Sequence, residues 1–142
     1  MGNNEIINLT CFREEVVNND NEIQLLYFDE DKKIAAKVII DKEYEDRMLY
    51  FENLYIHKSY RNMRISHQIL NRIDEVIKNE YINFDTIELW VDHADNQYIE
   101  DNNIKRANNQ YLIKLYQKHG YQIINSNIKH SLTPTMRKKI KL

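Results

Sequence analysis

Three strand-like runs follow one another with almost nothing between them. Glu22–Phe28 (EIQLLYF), Lys33–Ile40 (KIAAKVII) and Arg47–His57 (RMLYFENLYIH) are separated only by polar stretches that begin at Asp29 and Asp41. Connections this short join antiparallel neighbours, whereas a parallel crossover needs a dozen or more residues. An antiparallel meander is therefore expected, and the rest of the fold must be built onto it. Past His57 the period changes. Ile65, Ile69, Ile73 and Val76/Ile77 recur at helical spacing and predict an amphipathic helix over about Arg64–Asn79. Asp85–Asp92 (DTIELWVD) reads as a further strand, dense in β-branched and aromatic residues. After the polar stretch His93–Asn103, a second helical stripe carries Ile104, Ala107, Tyr111, Leu112, Leu115 and Tyr116. It stops at Gly120, as a left-handed C-cap would. Tyr121–Asn127 and Thr135–Ile140 read as two closing strands. Ahead of the meander, Glu5–Leu9 reads as a short strand. Thr10 reads as the cap of a short helix with Phe12 and Val16 four apart. The order β(α)βββαβαββ predicts an α/β sandwich with a largely antiparallel sheet. One parallel pair, the strands before and after the first long helix, is joined by a right-handed crossover.

Composition narrows the function. The 142 residues read as a single domain, 1–142, with no repeat or linker. Twenty basic against 22 acidic side chains give a net charge of −2, which lacks the basic excess of a nucleic-acid binder. The one cysteine, Cys11, excludes an internal disulfide and fits a reducing compartment, so the chain reads as cytoplasmic. No apolar window is long enough to span a membrane, and the first residues lack the pattern of a signal peptide. Asn, Ile and Lys number 18, 20 and 13, a bias that an AT-rich genome explains better than any activity does. Glycine is nearly absent (Gly2 and Gly120), so turns must rely on Asn and Asp.

Three segments, in order, carry a resemblance. Tyr50–Ser66 reads YFENLYIHKSYRNMRIS, Asn109–Tyr121 reads NQYLIKLYQKHGY and Pro134–Leu142 reads PTMRKKIKL. They resemble the fourth strand and pyrophosphate loop, the Asn-to-Tyr helix and the final strand of the GNAT N-acetyltransferases. The resemblance runs from about Glu22 to the C-terminus. It implies a GNAT-like sandwich with one splayed parallel strand pair, helices on both faces and a shortened N-terminal helical region. It also implies acetyl-CoA as acyl donor, a primary amine as acceptor and direct attack without a covalent enzyme intermediate.

In the residue-by-residue match, the loop Arg61-Asn62-Met63-Arg64-Ile65-Ser66 would hold the pyrophosphate of the donor. Its two signature glycines are replaced by Arg64 and Ser66, and a third frequent glycine by Asn62. Backbone N–H groups at a helix N-terminus bind anions without glycine. Arg64 can be read as an added phosphate-pairing cation or as a side chain filling the phosphates' space. The backbone of Leu54 and Ile56, with Tyr55 between them, would hold pantetheine and the thioester oxygen. Tyr116 matches the tyrosine that protonates the departing thiolate, against the alternative of a packing residue on an apolar stripe. Asn109, two turns earlier, matches a cofactor-facing residue or is a solvated helix residue.

Glu52 matches the position of a general base that takes the amine's proton, against the alternative of a solvated strand glutamate. Strict alternation would put Tyr50, Glu52, Leu54 and Ile56 on one face of the strand. Glu43, Glu45 and Asp46, with Asp92, Asp95, Glu100 and Asp101, would flank the acceptor side and favour a cationic amine, lysine or protein N-terminus. His93 and Asp95 lack a third convergent ligand, so no metal is expected. The basic run Arg137–Lys141 reads as a protected edge strand. No nucleic-acid or membrane partner is expected, and a homodimer stays open. A non-catalytic module that keeps the fold but has lost acetyl-CoA is the rival reading. An acetyltransferase acting on charged tRNA would need a more basic surface.

Overall fold

The computed structural model describes residues 6–61, 64–91, 109–124 and 134–140. The elements are β1 (Arg13–Asn18), β2 (Glu22–Phe28), β3 (Ile34–Glu43), β4 (Met48–Ile56), α1 (Ile65–Ile77), β5 (Thr86–Trp90), α2 (Asn109–Lys118), β6 (Gln122–Ile123) and β7 (Thr135–Lys139). The described strands form one sheet in the order β1-β2-β3-β4-β5-β7-β6. Strands β1 to β4 are the expected meander, extended by β1. The single parallel pair is β4 with β5, on either side of α1.

Alternation sets which face is core. In β2, Ile23, Leu25 and Tyr27 are buried while the residues between them are half-buried. Their partners Ile40, Val38 and Ala36 continue the buried row into β3. Leu49 and Phe51 carry it through β4, Ile87 and Leu89 through β5, and Met136 into β7. The helices lay Ile65, Ile69, Leu70, Ile73 and Ile77 of α1, and Leu112, Leu115 and Tyr116 of α2, onto this row. Each such side chain contributes about 1.5–3 kcal/mol of hydrophobic burial.

Ion pairs anchor α1 to that same face. Arg72 donates to both carboxylate oxygens of Glu14 on β1, with Nε to Oε2 at 3.0 Å and Nη2 to Oε1 at 2.9 Å. Lys138 Nζ on β7 donates to both oxygens of Asp74, at 2.9 and 2.8 Å. Both described helices thus lie on one face. Among the described residues the opposite face carries no helix.

The N-terminal expectations fail. Residues 6–8 form no strand, and Leu9–Cys11 is a 3-10 turn capped by Asn8, not a helix capped by Thr10. Val16 belongs to β1, whose exposed valines mark an edge strand. The four-residue spacing of Phe12 and Val16 fits both a helix and a turn followed by a strand. Tyr111 is also misplaced by the periodicity. It is exposed, so the buried stripe of α2 starts at Leu112. Asp92, the polar stretch 93–103 and the helical positions 104–108 lie outside the described residues, as do 125–127 of the expected penultimate strand.

The turns are built without glycine, as expected. Asn19 Oδ1 accepts from the N–H groups of Asn21 and Glu22 between β1 and β2. Asp29 Oδ1 accepts from those of Asp31 and Lys33 between β2 and β3. Lys32 and Arg47 adopt left-handed backbone at φ 64° and 52°, where glycine would be the unstrained choice. Gly120 does the same at φ 94° to end α2. No described helix is long and apolar enough to cross a membrane.

Candidate active site at the parting of two strands

β4 does not alternate regularly. Ile40 pairs with Phe51 and Ile39 pairs with Asn53, so Glu52 is an extra residue, a β-bulge. The bulge overturns the expected faces. Tyr50 pairs with Asp41 on the open face, while Leu54 pairs with Val38 on the helix-covered one. It also marks where β4 leaves β5, since parallel pairing covers Met48–Phe51 against Thr86–Leu89 and goes no further. The outgoing half of β4, which carries Leu54, Tyr55 and Ile56, keeps β3 as its described strand partner.

The chain then runs through a 3-10 turn, Lys58–Tyr60, into α1. His57 Nδ1 accepts from the N–H of Ser59 at 3.1 Å, and the Tyr60 ring packs edge-on against Phe12 at 5.0 Å. Arg61 Nε donates to the Ile56 carbonyl at 2.8 Å, so this side chain braces the end of β4. Asn62 and Met63 lie outside the described residues. Arg64 is the N-cap of α1, at φ 60°, with no side-chain cap bond. It holds a left-handed conformation that glycine would adopt without strain, at a cost of about 1–2 kcal/mol. Ile65 is buried and Ser66 half-buried.

An arginine side chain cannot accept hydrogen bonds, so that of Arg64 caps none of the first-turn N–H groups at the positive end of the helix dipole. A cavity of about 650 Å³ opens there, lined by Ile6, Asn8, Arg64, His67, Gln68 and Lys118. Three of those six carry or can take positive charge. N–H groups, dipole and cations together fit a pyrophosphate. Gln68 clamps the N-terminal segment against this turn, accepting from Leu9 N at 2.7 Å and donating to the Ile7 carbonyl at 2.6 Å.

Tyr116 and Glu52 sit on opposite sides of β4. Tyr116 is 1% exposed, its ring edge-on to Phe51 at 6.3 Å and to Tyr121 at 5.8 Å. Glu52 is exposed at the bulge, beside Asp41 and Glu22. A hydrogen bond with Asp41 is the main cause that raises its carboxyl above the ordinary value. Partial burial and the negative charges of Asp41 and Glu22 act in the same direction. Asp41 was not singled out from sequence, because the bulge hides which residue of β4 it faces. Asn109 starts α2.

The open face carries a polar row in register. Glu22 pairs with Asp41, Asp41 with Tyr50, Tyr50 with Glu88 and Glu88 with Arg137. Glu88, 7% exposed, accepts from Arg137 Nη2 at 2.7 Å. The expected acidic flank at Glu43, Glu45 and Asp46 lies elsewhere, at the turn where β4 begins and so at the opposite end from the parting. Asp92, His93, Asp95, Glu100 and Asp101 lie outside the described residues. Among the described residues no group of three or more His, Cys, Asp or Glu could hold a metal ion.

A family model described as an acetyltransferase (GNAT) domain matches residues 20–123. The chain belongs to the GNAT family. Solved structures agree in fold at low identity. A spermidine N-acetyltransferase from Vibrio cholerae, described as dodecameric, aligns at TM-score 0.58 and 15% identity, over 86% of this chain and 66% of that one. The ribosomal-protein-S18-alanine N-acetyltransferase from Escherichia coli aligns at 0.62 and 13%, over 88% and 73%. A nourseothricin acetyltransferase aligns at 0.55 and 12%, over 92% and 84%. No curated protein sequence matches this GNAT chain.

Proposed function

We propose that this GNAT protein transfers an acetyl group from acetyl-CoA to a primary amine on a cationic acceptor. One observation carries the reading: the bulge at Glu52 parts β4 from β5, with the Tyr116 ring on one side of the strand and the Glu52 carboxylate on the other. Acetyl-CoA supplies a thioester, an acyl group already activated toward amines. The first-turn N–H groups of α1, Arg64 and Ser66 hold its pyrophosphate, and the backbone of Leu54, Tyr55 and Ile56, on the edge of β4 that β5 has left, holds its pantetheine arm.

The acceptor arrives from the open face as an ammonium. Glu52 takes a proton from it, directly or through a water, and so frees the nitrogen lone pair for attack on the acyl carbon. A carboxyl raised by Asp41 is a better base near neutral pH than an ordinary glutamate. The bond to sulfur breaks, the Tyr116 hydroxyl gives the departing thiolate its proton, and the second proton that the nitrogen loses as the amide forms returns to the Tyr116 oxygen through water. Glu22, Asp41 and Glu52 hold negative charge where the acceptor enters, which favours cationic amines over neutral or anionic ones. A polyamine or a basic peptide suits a face that carries no helix among the described residues.

Ligand linkage tests the donor. Millimolar acetyl-CoA should raise the melting temperature of the folded protein, and spermidine or a lysine peptide should then release free coenzyme A. A folded sample whose melting temperature ignores acetyl-CoA would overturn the reading.

A further inference from the structure

One side-chain contact ties the start of α1 to the end of α2. His67 Nδ1 lies 3.1 Å from His119 Nε2, with both rings partly buried. His67 is in the first turn of α1, three residues after Arg64. His119 follows α2 immediately, three residues after Tyr116. Two imidazoles share a hydrogen bond when one nitrogen carries a proton and its partner does not. The pair is therefore held together with no extra proton or with one, and is forced apart by two.

The charged surroundings are mostly cationic. Burial first, then Lys118 and Arg64, hold His67 below its usual value. Burial first, then His67 and Lys138, do the same to His119, with Asp74 pulling the other way. Asp74 spends its charge on Lys138, which binds both of its oxygens. Three cations against one engaged carboxylate favour the neutral form of both rings.

We propose that the His67–His119 pair takes up a proton when the pyrophosphate of a coenzyme A-type donor settles at the first turn of α1, so that pH sets donor affinity. The inference rests on the donor-binding reading above. Two negative charges arriving beside Arg64 and His67 reverse the local balance and stabilise a proton shared between the rings. Binding and protonation are then linked reciprocally. Affinity rises as the pH falls through the bound-state value and levels off below the free-state value.

The measurement is calorimetric titration with dephospho-coenzyme A. Its pyrophosphate diester does not titrate near pH 6, unlike the phosphate monoester of coenzyme A itself. Titrations at pH 6.5 in two buffers of different ionisation enthalpy count the protons exchanged. The wild-type protein should take up about 0.3–1 proton and bind about 2- to 10-fold more tightly at pH 6.5 than at 7.5. The double variant His67→Asn/His119→Asn keeps polar side chains at the junction and should lose both effects. A purely structural role for the pair would change affinity without changing the proton count. Binding with no proton uptake by the wild type overturns the proposal and leaves the donor site standing. Uptake that persists in the double variant assigns the proton elsewhere and overturns it too. No binding by the wild type at any pH removes the donor reading, and the proposal with it.

Discussion

On the helix-covered face, β2 and β3 present Ile23, Leu25, Val38 and Ile40, all fully buried. On the open face the same two strands present Glu22, Gln24, Lys37 and Asp41, all half-buried. The two sets are interleaved residue by residue, so neither strand is dedicated to stability or to chemistry. The fully buried row of β2 lies on one face, while the other mixes the half-buried Leu26 and Ile39 with like charges held close together. Glu22 and Asp41 are direct cross-strand partners, a pairing that ordinarily destabilises a sheet. Such a repulsion persists where something else offsets it, and the core beneath does so.

Truncation should separate the faces most sharply. Ile73→Ala, in the centre of α1, should cost about 2–5 kcal/mol. Gln24→Ala on the open face should cost no more than about 1 kcal/mol. Urea unfolding of both variants checks the contrast, and equal costs would mean that the open face is covered in solution. The next effect belongs to a hydroxyl on the covered face. Tyr116→Phe keeps the ring against Phe51 and Tyr121, so the packing of α2 on the sheet and the acetyl-CoA affinity should be kept. Turnover should fall roughly 10- to 1,000-fold if the hydroxyl is the proton donor. Steady-state kinetics with the best amine acceptor decides, and an unchanged rate returns Tyr116 to the core.

The smallest effect is a change of pH dependence on the open face. Asp41→Asn removes the neighbour that raises the Glu52 carboxyl, so the acid limb of the kcat/KM profile should move to lower pH. Stability carries the matching sign. A carboxyl raised on folding binds its proton more tightly in the folded chain, so its contribution is present below the unfolded value. That contribution is lost as pH rises through the folded value. Asp41→Asn should flatten this loss, and thermal melts across pH 4 to 8 would show it. A profile unmoved by the substitution would detach Asp41 from the chemistry.

The sequence made some of this plain. The stripes Ile65–Ile77 and Leu112–Tyr116 repeat at a period that only a helix satisfies, and their burial follows. The antiparallel meander was legible because short polar turns allow nothing else. Three things were not. Phe12 and Val16 are spaced for a helix, yet the chain between them turns and then pairs with β2 across its whole length. Glu52 looks like an ordinary member of an alternating strand, because a bulge changes the count of residues and leaves no mark on their types. Asp41 and His119 act through partners that are remote in sequence, and no local pattern carries that information.

The bulge has a consequence for how such a site can change over generations. Side chains on a strand alternate with period two, so one extra residue sends Leu54 and Ile56 to the face that Phe51 occupies. Deleting any single residue there would restore the register and close the two strands together, whatever residues remained. The opening is thus encoded as a number and not as a letter. The residue types of the neighbouring loop are encoded as letters, and there Arg64 holds a left-handed backbone angle without being glycine. Point substitution can erase a motif of the second kind one position at a time. An insertion or deletion is what changes a feature of the first kind.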